Sequence, residues 1–203
     1  MKFPKTLFLR MIAGMAMLAV VAACGTSRSG TPSASVPFGS SGLDTYDSQE
    51  VDDALLQFYG DLSVNVAQAI DRLFSEYGEP NAYITGTDAS GAFFAGLVYG
   101  EGTLHLKNGE TRKVYWQGPS VGFDFGLTGT KVFMLVYNLK HPERIYQRFP
   151  GVDGRAFVLG GVGVNYLQSA DTAVVPVRAG HGFRLGASVG YLKFTEENQA
   201  NPF

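Results

Sequence analysis

Bulky and bare positions alternate along the carboxy-terminal two-thirds of this chain. Between Gly118 and Thr128, residues Gly118, Ser120, Gly122, Asp124 and Gly126 fall on one side, and Val121, Phe123, Phe125 and Leu127 on the other. Successive side chains of an extended strand point to opposite faces, so this spacing predicts a strand with one thick apolar face, buried, and one nearly bare face. The arrangement returns with Gly161, Gly163 and Asn165 against Val162, Val164 and Tyr166. It returns again with Gly180, Gly182, Arg184, Gly186, Ser188 and Gly190 against His181, Phe183, Leu185, Ala187, Val189 and Tyr191. Glycine repeated on one face marks sharp coiling, a bulge or the close approach of another backbone. Tight coiling is what a small closed barrel needs. A flat two-layer sheet whose bare face lies under a helix is the alternative.

Upstream the period is helical. Asp47 stands three before Glu50, a capping-box spacing, and Val51, Ala54, Leu55 and Phe58 follow at i, i+3, i+4 and i+7 until Gly60. Ser63 heads a second helix whose Val66, Ala67, Ile70, Leu73, Phe74 and Tyr77 make one stripe, ended by Gly78 and Pro80. Both stripes are expected to pack against the sheet. Beyond Pro80 the period changes to two. Asn81 to Thr85 and Ala92 to Tyr99 read as strands around a turn at Thr87 to Gly91, and Gly100 to Leu106 and Thr111 to Gln117 as a hairpin closed by Asn108-Gly109 in a type I′ turn. The apolar run from Lys131 to Tyr137 suits a strand buried on both faces. Pro142 to Phe149 reads as a short helix, and about Ala156 to Tyr166, Thr172 to Arg178 and Gly182 to Phe194 as the last strands. The expected fold is α+β and mostly β, a small antiparallel β-barrel preceded by two amphipathic helices.

Composition agrees with a β-rich globular chain: of 203 residues 26 are glycine, with 13% aromatic and only 17% charged. Lys and Arg are scattered and the net charge is −2, which gives no footprint for nucleic acid. The amino terminus supplies an address. Lys2, Lys5 and Arg10 precede an apolar run from Met11 to Ala23, too short for a comfortable membrane span and laid out as a secretory signal. Its end, Val21-Ala22-Ala23-Cys24-Gly25, resembles the bacterial lipobox, in which the cysteine thiol is lipidated and the chain is cut just before it. Cys24 is the sole cysteine, and lipidation removes a thiol that would have no partner in an oxidising compartment. Two or more acyl chains make such anchoring stable. Cleavage removes three of 16 cations and none of 18 acids, leaving 13 against 18, or −5. Gly25 stands where an inner-membrane retention Asp would sit, which favours the outer membrane. Residues 1–23 thus read as a lipoprotein signal, 24–42 as a Gly/Ser/Thr/Pro tether, 43–80 as a helical segment and 81–203 as the barrel.

Chemistry is sparse. Gly118-Pro119-Ser120-Val121-Gly122 matches the G-x-S-x-G elbow of α/β-hydrolases, with Asp171 and His181 following in the order of a triad, but that motif needs a helix after it and here a strand pattern follows. His105, His141 and His181 share no metal-ligand spacing, and no metal or cofactor is expected. Asp124 and Arg184 each interrupt a glycine face at the same kind of position. If their strands are neighbours they form a charge-assisted pair, either fixing register or anchoring a ligand headgroup.

Several strings resemble the envelope integrity protein A family: Tyr115-Trp116-Gln117-Gly118-Pro119-Ser120, Met134-Leu135-Val136-Tyr137-Asn138-Leu139, Tyr146-Gln147-Arg148-Phe149 with Gly151-Val152-Asp153-Gly154, and Gly190-Tyr191-Leu192-Lys193-Phe194-Thr195 with terminal Asn201-Pro202-Phe203. The likeness runs from about Gln49 to the end. It implies a small periplasmic β-barrel needed for envelope integrity under stress, with no established enzyme activity. More remotely, the glycine-rich strands resemble the SYLF lipid-binding domain, which implies acyl or headgroup binding. The lipobox departs from the ordinary cleaved signal of the closer family. The resulting expectation is a non-enzymatic, lipid-anchored envelope protein that binds lipid or another envelope component, with Asp124, Arg184 and Trp116 as candidate ligand contacts and Gly118, Gly122, Gly126, Gly182, Gly186 and Gly190 as structural glycines. The alternatives are an envelope hydrolase using Ser120 and a scaffold that recruits another envelope protein.

Overall fold

The two amphipathic stripes become helices in the computed structural model, which describes residues 42–61, 63–91, 95–121, 129–153, 155–179, 188–199 and 201. Helix α1 (Ser48–Tyr59) opens with the expected capping box: Glu50 N–H donates to Asp47 Oδ1 at 2.9 Å and Asp47 N–H donates to Glu50 Oε2 at 2.9 Å. Gly60 ends it at φ 82, a left-handed conformation that glycine adopts at no steric cost. Helix α2 (Val64–Tyr77) is capped by Ser63, whose Oγ accepts from Val66 N–H at 3.3 Å. Their apolar sides, Val51 and Leu55 of α1 and Val66, Ala69, Ile70, Leu73 and Tyr77 of α2, are buried. The signal segment, Cys24 and the tether up to residue 41 lie outside the described residues.

Antiparallel strands follow: β1 (Ala82–Gly91), β2 (Ala95–Leu106), β3 (Thr111–Val121), β4 (Thr130–Tyr137), β5 (Arg148–Pro150), β6 (Phe157–Leu159), β7 (Val162–Val164), β8 (Leu167–Ser169), β9 (Thr172–Ala179), β10 (Ser188–Val189) and β11 (Tyr191–Thr195). They form one sheet in the order β5-β11-β3-β2-β1-β4-β9-β7-β6, with β10 beside β3 and β8 beside β9. The sheet curls until an isolated bridge between Gly151 and Leu167 joins the end of β5 to the start of β8. The result is barrel-like, mostly β, and preceded by two helices, as the alternation of bulk implied.

Because side chains alternate, the curled sheet has two apolar faces and two cores. Ala82 and Ile84 of β1, Val132, Met134 and Val136 of β4, Val174 of β9, and Trp116, Phe149, Leu192 and Phe194 fill the interior. Phe133, Leu135 and Tyr137 of β4 and Ala173, Val175 and Val177 of β9 point the other way, into a second core under α1 and α2. Six successive residues of β4, Val132 to Tyr137, are therefore buried, which is why that run lacks polar alternation. Asn81 ties this wall to the following loop, donating from Nδ2 to Leu139 C=O at 2.9 Å and accepting from Leu139 N–H at 2.9 Å.

Local expectations fail where turn-forming composition is overridden by pairing. Thr87 to Gly91 is not a turn: β1 runs straight through it, each residue paired with β2 from Glu101 back to Leu97. Ala92 to Tyr99 and Gly100 to Leu106 belong to one strand, described from Ala95. The Asn108-Gly109 hairpin forms, but only Gly109 takes a positive φ, 86, so the turn is not type I′; Gly109 N–H closes it on Leu106 C=O at 2.9 Å. Both residues of the Gly160-Gly161 pair have positive φ, 50 and 96, and they split the strand expected over Ala156 to Tyr166 into the β6-β7 hairpin. The helix expected over Pro142 to Phe149 is a single 3₁₀ turn, Pro142–Ile145, because Arg148, Phe149 and Pro150 pair with β11 instead.

Candidate functional site

Cross-strand register assembles one polar position inside the barrel. On the interior face Asp88 of β1 lies opposite Gly100 of β2, Gly100 lies opposite Trp116 of β3, and Trp116 lies opposite Phe194 of β11. The missing side chain at Gly100 is what admits the indole. A Cβ there would lie 2.1 Å from Trp116 Cε2, and one at Gly86 would lie 2.6 Å from its Cη2, so the ring covers two glycines of adjacent strands. Bareness on this face is thus space for a ring of the chain itself.

Beside the indole, Asp88 meets a cation from two strands away, across β4. Arg178 of β9 donates from Nε at 2.9 Å and from Nη2 at 2.7 Å, both to Asp88 Oδ2. The side chains are 5% (Asp88) and 15% (Arg178) exposed, so the pair is largely withdrawn from water and each charge needs the other. Among the described residues three buried donors have no acceptor: Trp116 Nε1 and Arg178 Nη1 on the interior face, and Gln117 Nε2, which by alternation points to the other face of β3. Asp88, Tyr99, Tyr115, Trp116, Gln117 and Asn198 are among the residues that line a cleft of about 230 Å³. A buried donor left unpaired costs about 1–3 kcal/mol; Trp116 and Gln117 both line the cleft, and as neighbours on β3 they direct their side chains to opposite faces.

The site differs from the one expected. Asp124 and Arg184 lie outside the described residues, as do Gly122, Gly126, Gly182, Gly186 and His181. Trp116 does line the cleft, yet its side chain is 0% exposed and most of it is core. Asp88, assigned by its Thr-Asp-Ala-Ser-Gly setting to a turn, and Arg178 at the end of a predicted strand were not among the candidates. The available signal was parity alone, since Asp88 is in phase with Ala82 and Ile84. Of the described glycines, Gly118 is required by packing, a Cβ there lying 1.9 Å from the Tyr191 carbonyl oxygen. Gly190 is not, because a Cβ would make only an ordinary 3.6 Å contact with Pro119.

Ser120 sits in a paired strand, opposite Gly96 on one side and Val189 on the other, so its backbone is not the strand-to-helix turn of a nucleophile elbow. Asp171 is engaged by Lys140 Nζ. Among the described residues no group of three His, Cys, Asp or Glu side chains could hold a metal ion. No helix among them is long and apolar enough to cross a membrane. His105 stacks on Tyr83 at 4.6 Å and shares a 3.0 Å hydrogen bond with Thr85 Oγ1; burial lowers its pKa below the usual histidine value.

A model of the family described as envelope integrity protein A matches residues 44–203. A solved structure, a beta-barrel-like, uncharacterized protein from Brucella abortus, is similar at 47% sequence identity with a TM-score of 0.71, covering 78% of this chain and 99% of that one. No curated protein matches the chain.

Proposed function

Since the chain belongs to the envelope integrity protein A family, we propose that it contributes to cell-envelope integrity by binding an envelope component in the cleft at Asp88, Trp116 and Gln117, without catalysis. The family description supports a role and a location in the cell envelope. The signal-like amino terminus and Cys24 support attachment by lipid at the periplasmic side, at the outer membrane in the absence of a retention Asp after the cysteine.

One observation supports the binding reading: among the described residues the buried donors Trp116 Nε1 and Gln117 Nε2 have no acceptor, and both residues line the cleft, one from each face of β3. Asp88 and Arg178 offset one another, so the cleft favours a ligand rich in acceptor oxygens, such as a carbonyl, ether or hydroxyl group, over a bare ion.

Trp116 is the only tryptophan, so its emission reports the site directly. Native mass spectrometry of the purified chain is expected to show a co-purifying lipid or glycan, and its removal to shift Trp116 emission. A bound protein instead would favour a scaffold. A chain that carries nothing, and whose emission ignores lipid and glycan extracts of the envelope, would refute binding at this cleft.

A further inference from the structure

We propose that Arg148 and Lys193 form a second site, on the outer face of the sheet, that takes a phosphoryl group. Strands β5 and β11 place Lys193 directly opposite Arg148. On its other side Lys193 faces Gln117 of β3, which is uncharged. Like charges directly opposite across an antiparallel pair repel, and neither cation makes an ion pair among the described residues. Glu196 lines the same groove and, among the described residues, makes no ion pair with either.

The groove has a volume of about 440 Å³, ample for a phosphate when a water occupies about 30 Å³. Three of its neutral polar side chains are already engaged. The Gln147 amide donates to Arg144 C=O and its carbonyl accepts from Ser169, Tyr146 OH donates to Lys113 C=O, and Thr195 OH donates to Glu197 C=O. The two cations and the Gln199 amide remain as donors, beside the Glu196 carboxylate. Arg148 is also set in place, its guanidinium lying over the Tyr191 ring at 4.4 Å from the centroid. Stacking uses the flat face of the guanidinium and leaves its in-plane N–H groups directed outward. A carboxylate has two oxygens, which the arginine fork occupies. A phosphoryl group has a third to meet the lysine, so both cations are satisfied by one group.

The site adjoins the cleft at Gln117, and a phosphorylated lipid headgroup and a soluble phosphoester share the chemistry. The purified chain and the Arg148→Gln/Lys193→Gln variant are compared with two probes, inorganic phosphate and phosphatidylcholine vesicles with and without phosphatidylglycerol. Each cation is worth about fivefold at an anionic surface, so the variant is expected to bind about thirtyfold more weakly, while its Trp116 emission stays that of the folded chain. Arg148→Lys alone is expected to lose the smaller part. Loss confined to phosphate identifies a soluble phosphoester; loss on phosphatidylglycerol vesicles as well identifies a lipid headgroup. A wild-type chain that binds neither probe, or a double variant that binds as tightly as wild type, overturns the assignment.

Discussion

Replacing Asp88 by alanine tests whether the barrel depends on its internal ion pair. The change removes Oδ2, the one acceptor of both the 2.9 and the 2.7 Å bond. It leaves Arg178 charged and 15% exposed, with Nη1 already lacking a partner among the described residues. Breaking a buried pair from one side costs about 3–5 kcal/mol; because Arg178 keeps some contact with water, about 3 kcal/mol is expected. With a urea slope of about 2 kcal/mol/M, the unfolding midpoint falls by about 1.5 M. Replacing both partners with apolar residues of similar volume, Asp88→Leu/Arg178→Met, removes the desolvation cost together with the attraction, and the double variant is expected within about 1 kcal/mol of wild type. The cycle of wild type, Asp88→Leu, Arg178→Met and their combination then shows a coupling of at least about 2 kcal/mol. Urea titrations followed by circular dichroism measure all four corners. A midpoint shift below about 0.5 M for Asp88→Ala, or a double variant as unstable as the two singles summed, would refute the reasoning.

Other perturbations read other parts of the molecule. Gly100→Ala places a methyl group within 2.1–2.4 Å of three indole atoms, and overpacking of about 1–3 kcal/mol is expected along with a shift in Trp116 emission; Trp116→Leu added to it should recover stability, and a silent Gly100→Ala would count against the indole lying where it does. Asn81→Ala strands both Leu139 backbone groups at a buried corner, for a loss of about 2–4 kcal/mol in urea unfolding. His105 has its folded pKa lowered by burial, so its neutral form is the one favoured by folding. Its contribution is present above the unfolded value of about 6.5, declines as pH falls below it, and levels off beneath the lowered folded pKa. The stability difference between wild type and His105→Gln should change over that window, and parallel curves would remove histidine from the account.

Features that depend on neighbours in sequence were legible. The Asp47 and Glu50 box, the Ser63 cap and the glycine stops after both helices act within a turn, and each stands where its residues say. The doubly buried β4 could be read because Val132 to Val136 leaves no polar position for water. What failed was set by distant partners. Thr87-Asp88-Ala89-Ser90-Gly91 has every local mark of a turn, yet ten paired residues of β2 hold β1 extended, and Asp88 is tolerated inside because Arg178 arrives 90 positions later. The strands read as carrying a bare face, 118–128 and 180–190, lie largely outside the described residues, and no periodicity announces that Trp116 would fill the space at Gly86 and Gly100. The cleft was legible only through Trp116, since Gln117 and Asp88 join it by register.

Strands β4 and β9 are a party wall between two rooms. Stripping away α1 and α2 would leave Phe133, Leu135, Tyr137, Val175 and Val177 facing solvent on a sheet whose other side still holds together, and such a surface is sticky. A truncated chain beginning at the first strand would therefore tend to clump rather than exist as a smaller soluble barrel, and the helices serve as its permanent cladding.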